Sequence, residues 1–162
     1  MSDSKRISGF RCTNIRRQGY FTQTEEEISE LAVGNRFAYQ LCAVLVIFGT
    51  VTANTMLLGS MIGITILAMI LPNHPFDYIY NGGIRHMIDK PAVPRRSPQL
   101  RFACAIATVW LAATVWAFST GDLTLGYWLG GSLGAVATLV GTLDVCIPSI
   151  IYNAVMRVKV PA

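Results

Sequence analysis

Charged residues are scarce in this chain: they make up 14% of its 162 residues, whereas ordinary soluble domains have about 25%. Hydrophobic residues make up 52%. Low charge with high hydrophobicity excludes a disordered chain, and too few polar side chains remain to cover the surface of a water-soluble globule. Four cysteines are too few for the disulfide framework of a small secreted scaffold. The composition therefore predicts a membrane protein.

Histidine is absent from the apolar segments, because His74 and His86 both lie in the polar stretch between them. This absence argues against a haem or a chlorophyll held by imidazole inside a membrane. Neither histidine has the neighbouring cysteines or carboxylates that are typical of a metal site. We also expect neither a phosphate-binding Gly-x-x-x-x-Gly-Lys-Ser/Thr loop nor a Gly-x-Ser-x-Gly nucleophile elbow. The chain is therefore expected to have no cofactor, no metal ion and no catalytic set of residues.

Charge is also absent from four long segments, and the lengths of these segments indicate how many times the chain crosses the membrane. No Asp, Glu, Lys or Arg lies within residues 37–76, 102–121, 123–143 or 145–156. A helix needs about 20 apolar residues to cross roughly 30 Å of hydrocarbon. The first segment is about twice that length, and Gly49 and Asn54 supply a turn within it. We predict four spans, near residues 33–50, 54–71, 100–119 and 123–145.

The positions of the basic residues fit a four-span topology. All 13 lysines and arginines lie before the first span or at its start, between the second span and the start of the third, or after the fourth. The positive-inside rule places these three segments in the cytoplasm. The predicted fold is therefore all-α: an integral membrane four-helix bundle made of two helical hairpins. We expect it in the bacterial cytoplasmic (inner) membrane, with the N- and C-termini both cytoplasmic.

Two further segments are predicted to lie at the membrane surface. Residues 1–24 form a basic cytoplasmic tail before a membrane domain over residues 25–162, and the Thr24/Glu27 spacing is typical of a capping box at the start of the first helix. Between the two hairpins, apolar residues recur at helical spacing over residues 76–90, which favours an interfacial amphipathic helix. The tail could contact anionic lipid or a partner protein through basic and aromatic residues. These are Phe10, Arg11, Arg16, Arg17 and Tyr20.

Glycines recur at intervals of four along two of the predicted spans. Gly126, Gly130 and Gly134 form such a row in the fourth span, and Gly59 and Gly63 repeat it in the second. Small residues at this spacing let another helix approach closely. Two interpretations stay open: packing within this one bundle, or docking of another subunit.

Three cysteines are expected near the cytoplasmic ends of their spans, where they could share one layer: Cys42, Cys104 and Cys146. Arg36 and Arg101 could supply the positive surroundings that reactive thiols need. Alternatively, the cysteines are small apolar residues buried in helices. The cytosol keeps thiols reduced, and the chain has no Cys-x-x-Cys pair, both of which favour the second interpretation.

Asp144 interrupts an apolar run at the end of the fourth span. An acid inside a membrane is costly and usually functional. At the predicted depth it lies near the headgroups, where a structural ion pair with Arg36 or Arg101 would fix the helix register. Proton chemistry is the alternative, but the spans contain no second ionisable group for it.

The order of spans, the amphipathic middle loop and the C-terminal segment resemble a bacterial family of short four-span membrane proteins catalogued as a domain of unknown function. Members have an asparagine near the first span, matched by Asn35, and end the fourth with an aromatic-Cys-x-Gly-Cys motif. Here Cys146 matches the first cysteine, whereas Pro148 and Ser149 replace the glycine and the second cysteine. The resemblance implies thiol chemistry or metal binding in the family, but a serine cannot close a disulfide.

Three functions are compatible with these sequence features. The leading hypothesis is a non-catalytic accessory or assembly subunit of a larger bacterial membrane complex, which docks through its glycine-lined helix faces. Its partners would be membrane lipids and other membrane protein subunits, and no nucleic acid, because topology explains the basic excess. The second is a membrane thiol oxidoreductase or sulfur-handling protein centred on Cys146, with Cys42 or Cys104 as the resolving thiol. The third is a small oligomeric carrier or channel lined by threonines.

Overall fold

The computed structural model describes residues 8–161, and within that range every regular element is helical. This confirms the all-α prediction. A π-helical turn, Tyr80–Ile84, joins α4 to α5. The α-helices are α1 (Gly9–Arg17), α2 (Glu25–Val51), α3 (Thr55–Ile70), α4 (Pro75–Ile79), α5 (Arg85–Met87), α6 (Pro98–Ser119), α7 (Leu123–Leu143) and α8 (Ile147–Val155).

Three of these helices, α2, α6 and α7, are long and apolar enough to cross a membrane. The helix α3 has 16 residues and meets the same criterion only together with the segment Pro75–Met87, which is bent from it by 79°. The chain therefore has three candidate spans, or four if the bent pair counts as one. A multi-pass membrane protein follows from these lengths and compositions, and the four-span bundle of two hairpins stays a prediction.

The long helices begin where polar side chains can cap them. Thr24 accepts a hydrogen bond from the backbone N–H of Glu27, whose carboxylate accepts one from the N–H of Thr24, so the predicted capping box is confirmed. Asn54, Ser97 and Asp122 cap α3, α6 and α7 by the same kind of side-chain bond. Each cap satisfies one of the N–H groups that the first turn of a helix leaves without a partner.

The main helix contacts join the two halves of the chain. The helix α2 packs mainly against α7, and α3 packs mainly against α6. The contacts α6–α7 and α2–α3 complete the bundle, while α1 lies against α2 and α8. One buried cluster lies beside α1, around Ile15, Ile28 and Leu100, and a second fills the bundle around Leu58 and Leu111.

The segment predicted as one amphipathic helix over residues 76–90 consists of α4, the π-helical turn and α5. The pair Gly82-Gly83 lies in the π-helical turn, and a Cβ on either glycine would meet open space. Phe76 and Tyr80 are buried, whereas Ile79 and Met87 are exposed. The segment therefore has one face toward the bundle and one apolar face away from it.

Two helices were not predicted from the sequence. The helix α1 forms within the segment assigned to the tail, and α8 follows the fourth predicted span. The helix α7 ends at Leu143, because Asp144 adopts a left-handed conformation with φ 61° and ψ 17°. Pro148 then lies in the first turn of α8, where the missing N–H of proline costs no hydrogen bond. A new helix therefore starts just after the predicted end of the fourth span.

Candidate functional site

Three cysteines line one small cavity inside the bundle, which we call the thiol cavity. Its volume is about 90 Å³. Cys42 comes from α2, Cys104 from α6, and Cys146 from the link between α7 and α8. Most of the other walls are apolar side chains of α2, α3, α6 and α7. The fold thus brings together three thiols that are more than 40 positions apart in the sequence.

His74, which follows α3, also lines the thiol cavity. Its Nδ1 accepts a hydrogen bond from the backbone N–H of Phe76 at 3.2 Å, so the neutral ring carries its proton on Nε2. That Nε2 lies 3.8 Å from the Sγ of Cys42 and faces it as a donor. Burial, assisted by the charge of Arg96, lowers the pKa of His74 to about 4. The imidazole is therefore neutral near pH 7.

Ser149 contacts the thiol of Cys146 directly. Its hydroxyl donates to the Sγ of Cys146 at 3.0 Å, and both residues are buried. Burial raises the pKa of the Cys146 thiol, although the hydrogen bond from Ser149 opposes the shift. Serine thus keeps the contact that a second cysteine at this position would make, but it lacks the sulfur for a disulfide. Near neutral pH the Cys146 side chain is a protonated thiol.

A buried ion pair supports the wall formed by His74. Asp77 and Arg96 are joined by two hydrogen bonds of 2.7 Å, and both side chains are almost completely buried. Arg96 also donates to the hydroxyl of Tyr39 at 2.8 Å, and Asp77 accepts from the backbone N–H of His74. Burial opposes the charge of Arg96, but Tyr39 and Asp77 outweigh it and raise the pKa of Arg96. The guanidinium stays charged.

The sequence pattern does not predict this ion pair. An amphipathic helix over residues 76–90 would place Asp77 among its polar residues, whereas the structure buries it. A local signal was present: Pro75 stands in the first turn of α4, and Asp77 caps the N-terminus of that helix two residues later. Its partner Arg96 has no comparable local signal, because the two residues meet only through the fold.

Asp144 forms the other buried ion pair. Its carboxylate accepts two hydrogen bonds from Arg36, one of them 2.7 Å long from Nε. The Asp144 side chain is fully buried, and 17% of the Arg36 side chain is exposed. Arg11 lies 3.9 Å from the same carboxylate as a second cation. Among the described residues no ion pair joins Asp144 to Arg101, the other predicted partner.

A chain of amide groups connects this ion pair to the N-terminal helix. Gln18, just after α1, donates to the backbone carbonyl of Asp144 at 2.8 Å and accepts from Asn35 at 3.0 Å. Tyr20 donates to Asn35 at 3.2 Å. Burial raises the pKa of Tyr20 to about 12, so its phenol stays protonated. Gln18 and Tyr20, which follow α1, are therefore held in the core by hydrogen bonds.

The predicted contact residues of the tail are divided between inside and outside. Arg11 donates to the carbonyl of Thr142, and Tyr20 is buried. Arg16 is half-buried, whereas Arg17 is exposed and the Phe10 side chain is 62% exposed. Phe10 and Arg17 are thus the residues of this set that present an exposed surface.

The predicted glycine rows differ in what they face. A Cβ on Gly126 would meet the ring of Phe118 at 2.5 Å, and Gly130 and Gly134 face Thr50 and Ile47 of α2. Gly59 and Gly63 have no atom within 4 Å of such a Cβ. The row on α7 is therefore used for packing inside this chain, and the pair on α3 is open.

The spacing of a nucleophile elbow is present after all, which corrects the expectation that the sequence lacks it. Gly130-Gly131-Ser132-Leu133-Gly134 has the Gly-x-Ser-x-Gly pattern. A nucleophile elbow requires a sharp strand-to-helix turn. This segment instead lies inside α7, and the Ser132 hydroxyl donates to the carbonyl of Trp128 at 2.6 Å. The serine hydroxyl therefore bonds within its own helix and is not presented as a nucleophile.

Residues 8–161 contain no group of three or more His, Cys, Asp or Glu side chains that is placed to hold a metal ion. The four cysteines are all free, and Cys12 lies apart from the thiol cavity, in the cluster beside α1. The chemistry available in the cavity is thus that of neutral thiols in apolar surroundings.

Comparison with known proteins gives a family match and no closer relative. The family model described as "Domain of unknown function (DUF4395)" matches residues 32–157, which is most of the chain. This match confirms the resemblance to a family of unknown function. No curated protein and no solved structure matches the chain.

Proposed function

We propose that this chain, which belongs to the DUF4395 family, is a multi-pass membrane protein that carries out thiol–disulfide chemistry in the thiol cavity. The supporting observation is that Cys42, Cys104 and Cys146 reach one apolar space within the bundle. The sequence features ranked this function second, behind an accessory subunit. The convergence of the thiols favours thiol chemistry, and the α7 glycines are used for packing within the chain, which weakens the case for docking through them.

The proposed reaction joins Cys146 to one of the other two cavity thiols. One S–S bond forms, and the two thiols together lose two protons and two electrons. A lipid-soluble oxidant of the quinone class takes up both and leaves as the quinol. The apolar walls favour such an uncharged carrier over a charged thiol such as glutathione, since an ion would lose its hydration in the cavity. Cys42 or Cys104 serves as the resolving thiol.

The test is oxidation of the full chain in vesicles by a short-chain quinone, followed by alkylation and mass mapping of disulfides. We expect one intramolecular disulfide that contains Cys146. It should form faster as pH rises above neutral, by about tenfold per unit, because the thiolate is the reacting form. The variant C146A should lose the disulfide and C12A should keep it. Three thiols that stay unpaired and alkylate fully after oxidation would contradict the proposal.

A second candidate function is the accessory or assembly subunit, now placed on α3. Gly59 and Gly63 lie on an open face of this helix, beside the exposed side chains of Met56 and Leu67. Another transmembrane helix could approach that face closely. Gentle detergent extraction with mass measurement tests it: a larger complex that G63L disrupts supports α3 docking, whereas a lone monomer from native membranes contradicts it.

The proposed setting is the bacterial cytoplasmic membrane, with four crossings and both termini in the cytoplasm. The distribution of the 13 lysines and arginines supports this orientation. A carrier or channel has little support, because three of the threonines that would line it bond within their own helices. Thr114, Thr138 and Thr142 each donate to the carbonyl four residues before them.

A further inference from the structure

The helix α8 has an unusual amphipathic arrangement, with its polar side turned inward. Ser149 and Asn153 are buried, whereas Ile147, Ile151 and Val155 are exposed, to 72% in the case of Val155. These three residues repeat at intervals of four and so form one stripe along the helix. In a water-soluble protein such a stripe would face the core. Here it faces outward.

Hydrogen bonds fix the rotation of α8 and keep the apolar stripe outside. Asn153 donates to the backbone carbonyl of Arg17 at 2.7 Å and accepts from Gln99 at 3.1 Å. The ring of Phe102 lies against Tyr152 with centroids 5.4 Å apart. Rotating α8 so that the stripe faced inward would break both hydrogen bonds. Gln99 and the carbonyl of Arg17 would then lose their partner.

The position of α8 in the chain places it at the end of the candidate spans. It begins directly after the turn at Asp144 that ends α7, and it packs against α6 and α1. Nine residues of helix cover about 14 Å, which is too short to cross a bilayer. A short helix at this level with an outward apolar stripe fits the boundary between headgroups and acyl chains.

The positive charge around α8 favours contact with an anionic lipid. Arg157 and Lys159 follow α8, both exposed, and residues 145–162 contain no Asp or Glu. Arg17, which is also exposed, lies at the end of α1 beside Asn153. The glutamates of the first turn of α2 belong to another element, and Glu30 is paired with Lys90. The α8 surface therefore presents cations beside an apolar stripe.

We propose that α8 is an anionic-phospholipid contact: its apolar stripe lies among the acyl chains, and Arg157 and Lys159 bind the headgroup phosphates. This goes beyond the thiol function and does not depend on it. The cations attract anionic headgroups, and the stripe adds the hydrophobic contribution to binding.

The experiment measures amide hydrogen exchange of the α8 segment in the full chain, in nanodiscs of phosphatidylcholine with or without phosphatidylglycerol. We expect exchange in α8 to slow by about fivefold or more when phosphatidylglycerol is present, because each cation near an anionic surface contributes to binding. The variant R157Q/K159Q should lose this difference. The control K90Q/R95Q removes the same charge from the middle loop and should keep it.

Three outcomes would overturn the proposal. Exchange in α8 that is the same in both lipids excludes a charge-selective contact. If R157Q/K159Q and K90Q/R95Q lose the lipid-dependent difference in exchange equally, the overall positive charge of this side of the protein is responsible, and not α8. Protection that follows the number of chains per nanodisc instead of the lipid charge assigns the stripe to a second copy of the chain. The variant I151S/V155S, changed only at exposed positions, should weaken protection in both lipids.

Discussion

At the scale of single residues, the polar groups that the bundle buries restrict how it can pack. Asp77 and Asp144 are both fully buried, and each accepts two hydrogen bonds from one arginine. A buried ion pair stabilises a fold only modestly relative to apolar residues, but losing one partner leaves an uncompensated charge. The two acids therefore act as constraints that make alternative packings costly.

Asp144 can be tested with a matched control. Asp89 is exposed and, like Asp144, adopts a left-handed conformation that asparagine also tolerates. We expect D144N to lower the free energy of unfolding by about 3–5 kcal/mol, because Arg36 loses its charged partner in a buried site. D89N should change it by about 0.5 kcal/mol or less. Denaturant unfolding in detergent measures both, and equal effects would show that the buried pair is not the cause.

His74 should make stability depend on pH in a defined window. Its pKa is about 4 in the folded chain and 6.5 in the reference state, because burial disfavours the charged ring. Between these values the unfolded chain binds more protons, so stability is full above about pH 6.5 and declines as pH falls to about 4.

The measurement is the thermal midpoint from pH 7.5 down to pH 4 in detergent, compared with H74N. Asparagine can still accept the bond from the N–H of Phe76 as an N-cap, but it does not titrate. We expect the pH-dependent difference between the two proteins to disappear above pH 7 and to favour H74N toward pH 4. Parallel curves throughout would exclude His74 as the titrating group.

At the scale of elements, the helix glycines differ in their surroundings: some pack against another helix, and others face open space. Gly130 faces the side chain of Thr50, whose Cβ would lie 3.0 Å from an added methyl group, whereas Gly63 faces open space. The helix interior prefers alanine to glycine at both positions. Tight contact between α2 and α7 outweighs that preference only at Gly130.

The expected result is that G130A destabilises the chain by about 1–3 kcal/mol through overpacking. G63A should leave stability unchanged or raise it by up to about 1 kcal/mol, since alanine has the higher helix propensity. Unfolding curves of both variants in one detergent measure the contrast. A neutral G130A would mean that α2 and α7 are not in close contact.

At the scale of the whole molecule, helix length and aromatic position bear on the number of crossings. Three helices meet the length and hydropathy criteria alone, and the bent pair adds a fourth. Exposed aromatic residues flank the turn between α6 and α7, namely Trp116, Tyr127 and Trp128. Aromatic residues favour the membrane–water interface, so this turn fits the interface opposite the basic end.

Accessibility labelling tests whether α7 crosses the membrane and which of its ends faces the cytoplasm. Thr120 and Lys159 are exposed, and the native cysteines are buried or half-buried, so a membrane-impermeant maleimide should react with T120C and K159C above a low background. We expect T120C to react from the outside of intact cells and K159C only in inverted vesicles. Reaction of both from the same side would require a different topology.

Sequence alone predicted a membrane protein and much of the order of its helices. Long uncharged segments cannot be covered by water-exposed polar groups, and the capping residues Thr24 and Asn54 mark helix starts by local chemistry. The grouping of the basic residues outside the predicted spans is likewise visible in the sequence alone. The predicted starts and ends of the long helices therefore lie close to those observed, including the start of the first helix at Glu25, which follows from the Thr24/Glu27 capping box.

Only the tertiary structure decided which residues meet. Cys42, Cys104 and Cys146 come together because α2, α6 and the α7–α8 link pack around one cavity. Asp77 pairs with Arg96 only because the chain bends after α3. The apolar pattern of α8 was readable from sequence, but its outward direction was not. Hydrogen bonds from residues far along the chain set that direction, and local periodicity carries no information about them.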